Sequence, residues 1–96
     1  QGVAMSRVER IRAALEAAFA PTRLEVEDDS HRHAGHAGAR DGRGHFNVLI
    51  VSTAFAGKAP LARHRAVYAA LGAMMQTDIH ALSITATAPN EADETR

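Results

Sequence analysis

Apolar residues recur along this chain with two different periods, and the switches between them mark its elements. Val8, Ile11, Leu15 and Ala18 or Phe19 fall three or four positions apart, the period of a helix with one buried stripe. Ser6-Arg7-Val8-Glu9 stands at its start as a capping box: the serine hydroxyl accepts from the third amide and the glutamate reaches back. Pro21 cannot continue a helix and biases Ala20 away from helical angles. The pattern predicts an amphipathic helix over residues 7–20. The period then shortens to two. Arg23-Leu24-Glu25-Val26-Glu27 alternates charged and apolar side chains, as a strand with one buried face does. Asp28-Asp29-Ser30 ends it, and residues 30–44 follow with much Gly, His and Ala and no periodicity. Loops this long in compact domains are usually functional or disordered. Phe46-Asn47-Val48-Leu49-Ile50-Val51-Ser52 is apolar and β-branched, and is predicted to be the most buried strand.

Phe55-Ala56-Gly57-Lys58-Ala59-Pro60 reads as a turn, with Pro60 placed to open a helix. Leu61, Tyr68, Leu71 and Met75, with Val67 and Met74 beside them, predict a second helix to about residue 76. It has room to break into a short turn and a longer piece. Ile79-His80 leads into the alternating strand Leu82–Thr87. Pro89 stops it, and residues 90–96 are polar, as in a flexible tail. Gln1–Ala4 read as the remnant of a cleaved tag, with Met5 the natural start. Residues 1–5 are therefore set aside and the domain is placed at 6–89. The order is helix, strand, strand, helix, strand. The first two strands pair antiparallel. A right-handed strand–helix–strand crossover sets the last strand parallel to the second. The expected fold is α+β: a single domain with a three-stranded mixed sheet and helices on one face.

Composition narrows the function classes. A chain of 96 residues holds one domain with a modest core. Apolar residues make up 46%, but only three Phe and one Tyr are present, so small aliphatics build the core. A formal net charge of zero argues against a nucleic-acid binder that works by bulk charge, though it permits a local basic patch. No apolar run approaches the roughly 20 residues of a membrane span, and no signal-peptide pattern opens the chain, so a cytoplasmic domain is expected. There is no cysteine, hence no disulfide and no thiolate ligand. There are six histidines, four of them at positions 31, 33, 36 and 45. Imidazole is a common metal ligand, so this chain offers nitrogen to a metal, and any sulfur must come from elsewhere.

Several stretches, in order, resemble the BolA family. They are Leu24-Glu25-Val26 with Asp28-Asp29-Ser30-His31 and Arg32-His33-Ala34-Gly35-His36; His45-Phe46-Asn47-Val48; Val51-Ser52 with Phe55-Ala56-Gly57-Lys58; Arg63-His64-Arg65 with Val67-Tyr68; and Ile79-His80-Ala81-Leu82-Ser83. The resemblance covers residues 7–90. It implies a fold like the type II KH domain, with the element order read above. It also implies a non-catalytic protein that partners a monothiol glutaredoxin and shares a [2Fe–2S] cluster with it, in iron–sulfur maturation and trafficking or in iron regulation. Some bacterial members are described as DNA-binding transcriptional regulators of stress response and cell morphology. Chemistry is compatible with the first role, because two nitrogens can replace two sulfurs at one iron of such a cluster. A partner cysteine and glutathione would bring the sulfur. The family's ligand just before the last strand maps onto His80. The loop ligand maps onto His33, with His36 and His31 near enough to substitute. No cofactor is expected in the isolated chain, which is expected to be a monomer or a weak homodimer.

Each of these residues has a plainer reading. A histidine opening a strand, like His80, is often a hydrogen-bonded structural residue. His31 and His45 flank the loop and are expected to face solvent or bond the strand ends. Three histidines on a loop lack the surrounding shell that orients metal ligands. His64 lies between two arginines, which disfavour further positive charge there. For DNA, the candidates are Lys58, Arg63 and Arg65 around a helix start. The alternative for these is a solvated patch, or salt bridges to Glu27, Asp28 or Asp29. The Gly-x-x-Gly clamp of RNA-binding KH domains is missing before the second helix, where only Gly57 stands. Gly35-His36-Ala37-Gly38 fits the spacing but lies between two strands. Asp28, Asp29, Ser30 and His31 are simply a turn, since a catalytic triad is defined by geometry and not by adjacency. No P-loop or dinucleotide fingerprint is present.

Overall fold

A computed structural model of the chain describes residues 5–30 and 43–94. The elements are α1 (Arg7–Phe19), β1 (Arg23–Asp28), β2 (Gly44–Val51), a 3-10 turn (Thr53–Phe55), α2 (Pro60–Leu71), α3 (Met74–Thr77), β3 (Ile79–Thr87) and α4 (Pro89–Glu94). The capping box forms: Glu9 N–H donates to Ser6 Oγ at 3.1 Å, and Ser6 N–H donates to Glu9 Oε1 at 2.8 Å. α1 ends where Ala20 turns left-handed at φ 44°, a conformation costly for a residue with a Cβ, directly before Pro21.

β2 is central, antiparallel to β1 and parallel to β3. One face is the core. Leu24 and Val26 lie opposite Ile50 and Val48, and Phe46, Val48 and Ile50 lie beside Leu82, Ile84 and Ala86. Ile11 and Leu15 of α1, Val67 and Leu71 of α2, and Phe55 close over them. The opposite face carries Glu25, Glu27, His45, Asn47, Ser83 and Thr85, and no helix of the described residues packs on it.

The mixed sheet and one-sided helices match the sequence expectation. The differences lie at element ends. β2 begins at Gly44 and β3 at Ile79, both earlier than the apolar pattern indicates. The second helix does break, but the long piece comes first, since Gly72 at φ 57° ends α2 before the short α3. The segment after Pro89 is helical to Glu94 where a flexible tail was expected. Proline tolerates the first turn of a helix, so Pro89 opens α4 as well as ending β3.

Candidate functional site

The end of the sheet where β2 and β3 begin carries one of the sequence candidates, His80. Gly44 N–H donates to the Asp78 carbonyl at 2.9 Å, which docks the start of β2 on the turn before β3. The end of β1 is tied to the same place. Asp29 N–H donates to the His45 carbonyl at 2.7 Å, and Ser30 Oγ accepts from His45 N–H at 3.0 Å. A Cβ on residue 44 would stand 2.7 Å from Ser30 Oγ and 2.8 Å from the buried Phe46 ring. Glycine is therefore required at this crossing.

The ladder between β2 and β3 then slips: Gly44 lies opposite Ile79, but His45 lies opposite Ala81. One extra residue, His80, is accommodated on β3. Strand alternation would place the neighbours of buried Ile79 and Leu82 on opposite faces. The bulge instead leaves two successive residues, His80 and Ala81, exposed. β2 has no such slip, so His45 points to the open face with Asn47 and Leu49. The two imidazoles meet there, with ring centroids 5.2 Å apart and planes inclined by 52°. Arg43 Nη2 lies 3.3 Å from His80 Nδ1. An arginine only donates, so Nδ1 acts as acceptor in that contact. Beside the pair is a hollow of about 230 Å³, lined by residues 45–47 of β2, residues 81–83 of β3 and Asp29.

Asp78 braces this end of the sheet. Arg10 donates to both carboxylate oxygens at 2.8 and 3.2 Å, and Arg7 to one at 3.1 Å. The Arg10 hydrogen bonds, helped by the Thr77 hydroxyl, hold the carboxyl well below the usual carboxylate range.

His33, His36 and His31 lie outside the described residues. The basic candidates are at the other end of β3. Lys58 and Arg65 are exposed. Arg63 is only 9% exposed. Its guanidinium donates to the carbonyls of Lys58 and Ala86 at 2.8 and 3.0 Å, and to both oxygens of Glu91 at 2.6 and 2.8 Å. That bidentate pair, with Ala88 N–H donating to the same carboxylate, lowers the Glu91 pKa to about 2. The salt-bridge alternative thus holds for Arg63 with a different acid from those anticipated, because Glu91 sits on the helix that was expected to be tail. His80 and Ala86 are six strand positions apart, about 20 Å, so the structure keeps His80 apart from Arg63.

Sequence reasoning paired His80 only with the loop. It missed His45 as its neighbour, because a parallel register is not visible in either strand alone. Among the described residues, no three His, Asp or Glu side chains converge as a metal cage. A metal at His80 therefore needs donors from the 31–42 segment or from another molecule. The donor chemistry fits a shared cluster: an exposed imidazole is offered and no thiolate competes.

Comparison with known proteins agrees with this architecture. The chain is 50% identical over 91 residues to SufE-like protein 1, chloroplastic/mitochondrial, of Arabidopsis thaliana, covering 90% of this chain and 24% of that protein. It is 43% identical to Protein BOLA1, chloroplastic, of the same plant, over 95% of this chain and 59% of that one. The chain thus spans between a quarter and three-fifths of the length of these two relatives. It is 45% identical to the DNA-binding transcriptional regulator BolA of Escherichia coli, over 79% of this chain and 70% of that protein. The BolA domain of SufE1 from Arabidopsis thaliana superposes with a TM-score of 0.80 at 46% identity, over 93% of this chain and 99% of that one. The plant names are organellar, so this fold is not tied to the cytoplasm expected from the sequence. Among the described residues, no helix is long and apolar enough to cross a membrane. The profile of the BolA-like proteins matches residues 15–91, which include both β2 and the bulged start of β3, and the chain belongs to that family.

Proposed function

We propose that this chain is a non-catalytic partner of a monothiol glutaredoxin and co-ligates a [2Fe–2S] cluster with it, in iron–sulfur maturation and trafficking or in iron regulation. The observation that carries the reading is the bulge that lifts His80 out of the strand alternation and exposes its ring beside His45. His80 supplies one nitrogen and His33 the second, with His36 as the alternative. The glutaredoxin cysteine and glutathione supply sulfur that this cysteine-free chain lacks. The Arg43 contact occupies the Nδ1 lone pair of His80. Ligation through Nδ1 displaces Arg43, and ligation through Nε2 requires the ring proton to move to Nδ1.

The test mixes the protein with a cluster-loaded monothiol glutaredoxin and glutathione, followed by visible absorption and circular dichroism. Wild type should change the spectrum of the glutaredoxin cluster. His80→Ala should lose that change, while His64→Ala on α2 retains it. A His80→Ala spectrum identical to wild type would overturn the ligand assignment.

A second reading, DNA binding, is favoured by the similarity to the DNA-binding transcriptional regulator BolA of Escherichia coli and by the exposed Lys58 and Arg65. The charge of Arg63 is engaged by Glu91, so two phosphate contacts are expected in place of three. The log–log slope of affinity against salt should then be about −1.8. No binding at low salt removes this reading.

A further inference from the structure

β1 and β3 are the two edges of the sheet, and they are built differently. β1 exposes Arg23, Glu25, Glu27 and Asp28 along six residues. Charges of this kind keep an edge from pairing with another chain. β3 runs nine residues, Ile79–Thr87, without Asp, Glu, Lys, Arg or Pro. Its outward backbone groups follow from one hydrogen bond. Ser52 N–H donates to the Thr87 carbonyl. In a parallel ladder the odd-numbered residues beyond the bulge therefore bond to β2, and the N–H and C=O of Leu82, Ile84 and Ala86 point outward. The Ala86 carbonyl is taken by Arg63. Among the described residues, no hydrogen bond fills the outward side of Leu82 or Ile84.

We propose that this edge pairs with the same edge of a second copy of the chain, antiparallel about a two-fold axis at Ser83, giving a continuous six-stranded sheet. The segment is complementary to itself in that direction. Leu82 faces Ile84 of the second copy and Ile84 faces its Leu82, so four N–H and C=O pairs close. The half-buried Leu82 and Ile84 side chains cover each other on the core side, and Ser83 meets Ser83 on the open side. Sliding the axis to Ile84 would pair Leu82 with Ala86, whose carbonyl Arg63 already holds. Sliding it to Leu82 would pair Ile84 with His80, whose N–H lies on the β2 side of the bulge because Gly44 bonds to Asp78. No charged side chain opposes its own copy across the edge. The formal net charge of zero adds no long-range repulsion between copies. The pairing does not depend on the cluster reading, and the two stand or fall separately.

Because the chain has no cysteine, one can be placed as a clean reporter. Opposed residues of a non-hydrogen-bonded antiparallel pair have Cα atoms about 4.5 Å apart, within disulfide range. In a Ser83→Cys chain the two sulfurs meet at the axis, whereas in Thr85→Cys they lie about 13 Å apart along the strands. On mild oxidation, Ser83→Cys should give covalent dimer at least tenfold faster than Thr85→Cys. Sedimentation of the wild-type chain should show a concentration-dependent dimer. Ser83→Lys, an exposed substitution, should weaken it at least tenfold with an unchanged far-ultraviolet circular dichroism spectrum. Equal cross-linking rates, or a dimer indifferent to Ser83→Lys, would overturn the register. A chain that stays monomeric at millimolar concentration would overturn the pairing and leave the edge to an extended segment of a different partner.

Discussion

Gly44 shows how much a single residue decides at this site. Its Cα lies where the end of β1, the start of β2 and the Phe46 ring cross, and a methyl group there has no room. Gly44→Ala should destabilise the fold by about 1–3 kcal/mol, the usual cost of overpacking, read as a lower urea midpoint. Phe46 is 2% exposed and cannot retreat into solvent. The sequence shows a glycine here but not its cause, because Ser30 is brought to it from beyond the end of β1 and Phe46 is pinned by the core. His80 is a similar case. Its type and its place before a strand are legible, and its resemblance to a family ligand is too. Its exposure depends on a bulge, which arises from how β2 and β3 fit each other. Arg63 is the converse. As part of Arg63-His64-Arg65 it reads as surface charge, yet Glu91 and two carbonyls draw it inward.

At the scale of elements, local signals placed the strong periods well. Ser6 and Glu9 start α1, and Pro21 ends it by forcing Ala20 out of helical angles. β1 is half-buried because its apolar residues alternate with charges, and β2 is buried because its apolar run has few interruptions. α4 escaped notice since Pro89-Asn90-Glu91-Ala92 lacks an apolar stripe. Ala88 N–H donates to Glu91 locally, but the bidentate ion pair that anchors the helix reaches Arg63 and exists only once α2 is in place. The 3-10 turn is similar: it is capped by Ser52, whose hydroxyl accepts from Ala54 N–H and donates to the Phe19 carbonyl of α1.

At the scale of the whole molecule, two carboxylates, each far in sequence from its arginine partners, tie helices to the sheet ends. Asp78 holds α1 through Arg7 and Arg10, and Glu91 holds α2 through Arg63. Both have folded-state pKa values below their ordinary ones, chiefly through those arginine hydrogen bonds. The unfolded chain therefore binds more protons in acid. Their contribution to stability is present in full above the ordinary carboxylate pKa of roughly 4. It is lost as pH falls from there through the folded values. Urea unfolding should show a midpoint that is flat from pH 7 to about 5 and falls steeply toward pH 2. Asp78→Asn should start lower at pH 7 and fall less; an unchanged pH profile in that variant would remove Asp78 from the account. The sequence by itself determined the element order, the mixed α+β sheet and the family, because period, caps and breakers act over a few residues. It also determined that any sulfur for a metal must come from a partner, since the chain has none. Only the tertiary structure decided that His45 stands beside His80, that Arg63 turns inward, and that one sheet edge is charged while the other is bare. These depend on strand register and on contacts between residues tens of positions apart, and no local pattern encodes them.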